Sequence, residues 1–239
     1  TLGDIISIIG QGVTALGNRV VVAGGGSYIF TGTHNDGQII VDAQGSDTVS
    51  LIFNGVNLSC TTSAPIYILN AKKTIITLAS GTAKYIADGS VYILEGSSDE
   101  PSAAVFSNDD LEINGEGSLM VKGNYNNGIQ SDDDLIISGG NVSIVARNDG
   151  IKGRDSITVR NATISITSGG DGMQSNNDEG SEKGTVRIES GTISINAGED
   201  GIQAETLLVI DGGTITVISG GGSSNEAAAS EISRKGLKG

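Results

Sequence analysis

Short runs in which every second residue is apolar recur along the chain and predict β-strands. One stretch carries Ile157 and Val159, and the next carries Ile164 and Ile166, with a threonine or serine between the two apolar residues of each pair. This alternation has the two-residue period of a strand. Glycine pairs or asparagine, as at Asn161, lie between the runs and are typical of tight turns. We therefore expect many short strands joined by turns.

The strands belong to an internal repeat. Similar segments place glycines at Gly128, Gly150, Gly172 and Gly201, and the first two intervals are 22 residues each. The third interval is longer by a polar insertion near residues 178–184. Each repeat carries three short apolar runs, so three strands and three turns would close one coil. The sequence predicts an all-β, right-handed parallel β-helix, a solenoid with about 22 residues per coil and three short strands per coil. A sandwich or propeller would need hairpins or longer blades.

We expect a single domain over residues 1–239. Residues 1–30 are predicted to cap the stack, and residues 85–102 to leave the coil as an excursion. Residues 219–234 are rich in Gly, Ser, Ala and Glu, which favours a flexible loop. Residues 235–239 match the first strand of a further coil, which indicates a piece of a longer chain with other domains.

Charge and composition exclude some partners. The formal net charge is −14, so nucleic acid is not expected as a partner, because phosphates would be repelled. No apolar run reaches transmembrane length, so membrane insertion is not expected. Cys60 is the only cysteine, which leaves no intrachain disulfide, and the single histidine, His34, is interpreted as structural. A divalent cation or a cation-bridged ligand fits the acidic balance better.

Equivalent positions of successive coils should stack into columns, and several of these columns are acidic. Carboxylates at strand spacing repel one another unless a cation neutralises them, and Ca²⁺ takes six to eight oxygen ligands. The alternative is that Asp and Asn at turns bond their own backbone. The candidate calcium ligands are Asn127, Asp149, Asp171, Asp200, Asp132, Asp133, Asp155, Asn176, Asn177 and Asp178.

Two cations interrupt this acidic pattern. Lys152 and Arg154 are two residues apart in a repeat strand, so both are expected on one outer face, where they could bind a uronate carboxylate or act as a base. Simple charge balance with neighbouring aspartates is the alternative. Gln130 and Gln174 should stack beside Lys152, and Tyr125 is a candidate exposed aromatic. These five residues are the predicted carbohydrate-binding set.

Several motifs resemble one known family. They are the segments 103–111 (Ala-Ala-Val-Phe-Ser-Asn-Asp-Asp-Leu), 148–155 (Asn-Asp-Gly-Ile-Lys-Gly-Arg-Asp) and 198–205 (Gly-Glu-Asp-Gly-Ile-Gln-Ala-Glu), together with Asp-Glu-Pro at 99–101. They resemble the secreted bacterial carbohydrate-binding domain proteins whose β-helix is similar to that of pectate lyases, over about residues 28–239. The resemblance implies extracellular, calcium-containing proteins that bind plant cell-wall polysaccharides such as cellulose or polygalacturonate. It implies no catalytic residues.

The residues add a constraint on the ligand. Flat rows of aromatics usually bind crystalline cellulose, whereas this chain has no Trp, 5 Tyr and 3 Phe. An acidic sugar held through calcium and Lys or Arg is therefore favoured. The predicted function is a secreted or cell-surface, non-catalytic, calcium-binding polysaccharide-binding module. The alternatives are a calcium-dependent lyase that uses Lys152 or Arg154, and a structural surface or adhesin stalk.

Overall fold

The chain folds into β-strands that pair mainly in parallel. The structure is a computed structural model and describes residues 1–3, 6–94, 99–222 and 233–239. The described residues form 24 strands. In chain order they are β1 (Val13–Leu16), β2 (Arg19–Val22), β3 (Gly26–His34), β4 (Gln38–Asp42), β5 (Thr48–Cys60), β6 (Ile66–Asn70), β7 (Lys73–Leu78), β8 (Ala83–Asp88), β9 (Ala103–Ser107), β10 (Asp110–Gly115), β11 (Ser118–Gly123), β12 (Asn127–Ser131), β13 (Asp134–Ile137), β14 (Asn141–Ala146), β15 (Ile151–Gly153), β16 (Ser156–Val159), β17 (Ala162–Ser168), β18 (Met173–Ser175), β19 (Thr185–Ile188), β20 (Gly191–Ala197), β21 (Ile202–Ala204), β22 (Leu207–Ile210), β23 (Thr214–Ser219) and β24 (Leu237–Lys238).

From β6 onwards, each strand pairs with the strand that lies three places later in the chain, and this pairing generates three stacks. Stack 1 contains β2, β4, β6, β9, β12, β15, β18, β21 and β24 in that order. The second sheet has two arms that meet at β5: stack 2 continues through β7, β10, β13, β16, β19 and β22, and stack 3 through β8, β11, β14, β17, β20 and β23. Pairing within the stacks is parallel. This is an all-β, solenoid-like arrangement.

The pairing register follows the sequence repeat. Ile129 pairs with Ile151 in stack 1 and Leu135 pairs with Ile157 in stack 2, both over 22 residues of sequence. Ile157 then pairs with Val186, because the polar insertion lies between β18 and β19. Hydrophobic residues spaced by one repeat therefore touch across coils.

The inward positions form continuous apolar columns. In stack 2 the column runs through Leu111, Leu135, Ile157 and Val186, all fully buried. Burial of one such side chain contributes roughly 1.5–3 kcal/mol, and each is buried by neighbours one coil away. No coil could therefore bury its own apolar residues alone.

Strand β5 contains two apolar runs, at residues 49–53 and 56–58, which the sequence pattern alone would divide into two separate strands. Its first half pairs with β7 and its second half pairs with β8. Gly55 lies between the halves with φ of 71°, a left-handed value that glycine adopts without strain. The gap between the two apolar runs is thus a corner within one strand, where the chain passes from stack 2 to stack 3.

Two polar residues occupy inward positions in the core. Thr74 pairs with Val49 and Leu111, is fully buried, and its Oγ1 finds no hydrogen-bond partner among the described residues. Lys84 pairs with Leu119 and is 2% exposed. Its Nζ donates to two turn carbonyls, Ala79 O at 2.6 Å and Thr82 O at 2.8 Å, and burial lowers the pKa of Lys84.

The ends depart from the regular coil. Within the predicted cap, β1 pairs antiparallel with β2, whereas β2 already pairs parallel with β4. The excursion begins after β8 ends at Asp88 and not at residue 85 as predicted, because Tyr85 and the residues up to Asp88 pair with β5 and β11. Residues 223–232 of the predicted loop lie outside the described residues, and β24 pairs parallel with β21. No helix with the length and apolar character to cross a membrane occurs in the described part of the chain.

Candidate functional site

Four of the predicted calcium ligands, those that directly precede the repeat glycines, form a ladder of hydrogen bonds. Asn127 Oδ1 accepts from the backbone N–H of Asp149 at 3.0 Å, Asp149 Oδ1 from Asp171 N–H at 2.9 Å, and Asp171 Oδ1 from Asp200 N–H at 2.8 Å. All four side chains are buried. Each side chain thus bonds the backbone of the next coil, as expected for Asp and Asn at turns, though between coils. We name these four residues the Asx ladder.

Burial dominates the electrostatics of the Asx ladder. It raises the pKa of Asp149 to about 6, against the opposing effects of the hydrogen bond from Asp171 N–H and the attraction of Lys152. Burial also raises the pKa of Asp171, whose Oδ2 accepts from Gln174 Nε2 at 2.6 Å. Asp200 Oδ2 accepts no hydrogen bond from a described residue, and its ion pair with Lys238 Nζ is long, at 3.7 Å.

The Asx ladder does not fit a calcium cage. One oxygen of each side chain already serves a backbone N–H, so the oxygens point along the stack and do not converge on a point. Within the described residues, no group of three or more His, Cys, Asp or Glu side chains could hold one metal ion. Calcium therefore stays a prediction from the sequence.

The other predicted metal ligands lie where stack 1 turns into stack 2 and beyond. Asp155 forms an ion pair with Lys183 at 2.9 Å and accepts from Asn177 Nδ2. Burial raises the pKa of Asp133, and the nearby charge of Asp155 raises it further. Asn176 and Asp178 are exposed at the start of the insertion, and Asp132 accepts from Gln130 Nε2 at 2.8 Å.

A polar cavity of about 690 Å³ opens where the chain turns from stack 3 into stack 1. Its walls come from the excursion before β9 and from the turns before β12 and β15. The lining residues are Asp99, Glu100, Ser102, Tyr125, Asn126, Asn127, Gln130, Arg147, Asn148 and Lys152. The lining therefore combines two cations, two carboxylates, four amides, a hydroxyl and one aromatic ring, which together can bind hydroxyls and an anionic group.

Three of the five predicted carbohydrate-binding residues, Gln130, Lys152 and Tyr125, line this cavity. Gln174 pairs with Lys152 from the next coil, and its Nε2 donates a hydrogen bond to Asp171 of the Asx ladder. Arg154 follows the end of β15 and approaches Glu179 at 3.9 Å. Arg154 is not part of the lining, although its positive charge opposes the rise in the pKa of the lining residue Glu100.

Sequence reasoning missed Arg147 and Asn148, which lie at a turn whose residues differ from coil to coil. The backbone bonds of successive coils continue through this turn, and the next coil carries Gly169 and Gly170 at the equivalent positions. The coil after that carries Gly198 and Glu199, so the repeat locates the turn but does not single out these two residues. Asp99, Glu100 and Ser102 belong to the excursion between β8 and β9, which is longer than the connections from β11 to β12 and from β14 to β15.

A hydrogen-bond network fixes the floor of the cavity. Gln130 Oε1 accepts from Asn127 Nδ2 at 2.7 Å and from Ser102 Oγ at 2.9 Å. Asn148 Nδ2 in turn donates to Asn127 Oδ1 at 3.0 Å. Burial raises the pKa of Glu100, and the nearby Asp132 raises it further. The polar groups are therefore oriented before any ligand arrives, which lowers the entropy cost of binding.

Comparisons with known proteins agree with a carbohydrate ligand. Residues 16–239 match the model of a family described as carbohydrate-binding domain-containing protein. A protein of that description from Acetivibrio thermocellus is 42% identical over 137 residues, and the match covers 57% of this chain and 48% of that relative. The chain thus spans about half the length of the curated relative. A solved structure titled polysaccharide lyase-like protein from C. thermocellum, a gadolinium derivative, is 37% identical with a TM-score of 0.80, covering 87% of this chain and 88% of that one. The chain belongs to the family of carbohydrate-binding domain-containing proteins.

Proposed function

We propose that the chain is a non-catalytic polysaccharide-binding module and that the polar cavity is its binding site. The observation that carries the proposal is the lining: nine polar side chains and one tyrosine surround a space of about 690 Å³. A volume of this size falls within the usual range of small-molecule sites, and the lining is more polar than is usual for them. Sugar hydroxyls both donate and accept, so carboxylates, amides and cations can all bond to them.

We propose that the favoured ligand is acidic. Arg147 comes from the turn before β15 and Lys152 from β15 itself, whereas Asp99 and Glu100 come from the excursion. A uronate carboxylate could pair with the planar guanidinium of Arg147, and its ring hydroxyls could donate to the carboxylates opposite. Because the net charge of −14 repels a polyanion as a whole, these two cations would supply the local attraction.

Affinity gel electrophoresis in polygalacturonate, beside a neutral glucan gel, tests this proposal. Arg147→Ala should weaken retardation by polygalacturonate about tenfold, the worth of one charge-assisted hydrogen-bonded contact. Arg160→Ala removes the same charge after β16, outside the cavity, and should leave retardation unchanged. Equal retardation of wild type and Arg147→Ala, or absence of retardation in both gels, would contradict the proposal.

A calcium-dependent polysaccharide lyase is the second candidate, favoured by the lyase-like description of the solved relative and by Lys152 in the cavity wall. Neutral Lys152 would then take the C5 proton α to the uronate carboxylate, and the electron pair would form the C4–C5 double bond as the bond from C4 to the glycosidic oxygen breaks. Ultraviolet absorbance of unsaturated product from polygalacturonate measures this activity. Activity that is lost in Lys152→Met and kept in Arg154→Met would support the lyase.

We also propose a handedness for the coil, a location for the protein and a bound cation. The coil would be right-handed and pectate-lyase-like, since parallel crossovers are almost always right-handed. The protein would be secreted or on the cell surface, with plant cell-wall polysaccharide as its ligand. Calcium is proposed at the predicted acidic positions outside the Asx ladder, and addition of calcium after chelation should then raise the midpoint of thermal unfolding.

A further inference from the structure

A stacked pair of tyrosine rings borders the cavity. The centroids of Tyr125 and Tyr92 are 4.0 Å apart, and their planes are inclined by 11°. Tyr92 is buried in a small cluster with Ala103 and Phe106, whereas Tyr125 is half-buried and lines the cavity. Because Tyr92 covers one face of the Tyr125 ring, Tyr125 can offer only its other face and its edge to a ligand.

Asp88 holds this ring pair in place. The Tyr92 hydroxyl donates to Asp88 Oδ2 at 2.7 Å, and the Tyr125 backbone N–H approaches the same oxygen at 3.4 Å. Asn124 donates its backbone N–H to Asp88 Oδ1 and its Nδ2 to the Asp88 carbonyl at 2.7 Å. One buried carboxylate therefore ties the excursion, which carries Tyr92, to the turn that carries Tyr125. The ring is immobilised without a ligand, so binding would not have to order it.

We propose that Tyr125 is the platform on which the apolar face of one pyranose ring stacks, and that Tyr92 and Asp88 are positioning residues for this platform. A pyranose carries C–H groups on its faces and hydroxyls around its rim. The C–H groups can pack on an aromatic face, and the hydroxyls can form hydrogen bonds with the charged and amide side chains around the cavity. Tyrosine is also enriched among residues that dominate binding energy. This inference rests on the proposed function and names the part of the site that holds the sugar ring.

Calorimetric titration of the intact chain with soluble polygalacturonate tests the platform. Tyr125→Leu removes the aromatic face and should weaken binding about tenfold. Tyr125→Phe keeps the ring and should bind within about twofold of wild type. Tyr85→Leu alters an aromatic in β8, outside the cavity lining, and should leave the affinity unchanged.

Two variants at Tyr92 separate positioning from stability. Tyr92→Phe and Tyr92→Leu both lose the hydrogen bond to Asp88, so both should lower the midpoint of thermal unfolding. Only Tyr92→Leu also loses the stacked ring, so only it should weaken binding, by about threefold to tenfold. Affinity that falls equally in both variants would overturn the positioning role.

The outcomes also distinguish this inference from the proposed function. If Tyr125→Leu binds polygalacturonate as tightly as wild type while Arg147→Ala does not, the platform is refuted and the cavity remains the site. If wild type binds neither polygalacturonate nor a neutral glucan, the proposed function fails, and the platform fails with it.

Discussion

Protonation of Asp149 should make the stability of this protein depend on pH. The buried carboxyl has a pKa of about 6 in the folded chain, against an ordinary value of 3.8. Because the folded state favours the protonated form, this group stabilises the fold fully below about pH 4, and the contribution is lost as the pH rises to about 6 and beyond. At about 1.4 kcal/mol per pH unit, the loss amounts to about 3 kcal/mol.

Asp149→Asn isolates this contribution. An amide keeps the Oδ1 that accepts from Asp171 N–H, as Asn127 does one coil earlier, but it does not ionise. Relative to wild type, the variant should therefore gain about 2 kcal/mol in free energy of unfolding between about pH 4 and about pH 7, since part of the full contribution is already lost at about pH 4. Urea unfolding followed by circular dichroism at the two pH values measures the difference. Asp178→Asn, at an exposed position of the insertion, removes the same charge and should show no such gain.

The same measurement tests the interpretation of the Asx ladder. A calcium cage built on Asp149 would need its charge, so Asp149→Asn would lose stability near neutral pH with calcium present. A hydrogen-bond ladder needs only the acceptor oxygen, so the variant would gain stability. A variant that is no more stable relative to wild type at about pH 7 than at about pH 4 would refute the reasoning from burial.

Three further substitutions probe the core by urea unfolding. Thr74→Val replaces a buried hydroxyl without a described partner and should raise the free energy of unfolding by about 1 kcal/mol, whereas Thr77→Val, on the partly exposed side of the same strand, should change it little. Lys84→Met removes one of the two donors of each turn carbonyl, since Ala79 O keeps the bond from Thr82 Oγ1 and Thr82 O keeps the bond from Ser118 N–H, and should lower it by about 1 kcal/mol; an unchanged value would show that the ammonium is dispensable. Gly150→Ala would place a Cβ 2.3 Å from an Ile166 methyl and should cost about 3 kcal/mol, and a loss below about 1 kcal/mol would contradict that packing.

The stacking of coils was predictable because the hydrophobic repeat is strict where coils are regular. Ile157 and Ile164 are each one repeat from their partners, so strand type, pairing partner and inward face all follow from one pattern. The prediction weakened where the pattern breaks. The corner within β5 looked like a gap between two strands, since a glycine at positive φ leaves no hydrophobic signal.

The site was less predictable, because residue type does not determine geometry. Asp149 suits a calcium cage and a backbone ladder equally well, and only the direction of its Oδ1 distinguishes the two. Lys152 and Tyr125 were identified from the sequence, yet the cavity also needs Asp99 and Glu100. Those two carboxylates arrive through an excursion whose path no repeat constrains.

The Asx ladder and the cavity share one residue, and its identity links the fold to the proposed ligand. Asn127 is the first rung, and the rungs farther from the cavity are aspartates. The oxygen of Asn127 supports the next coil, while its nitrogen donates to Gln130 on the cavity floor. An aspartate at this rung would lose that donor and add a third carboxylate to a lining that already holds Asp99 and Glu100. The uncharged side chain of Asn127 therefore continues the Asx ladder and leaves the two cations of the lining balanced by two carboxylates. An anionic sugar is repelled less by this lining than by one with a third carboxylate.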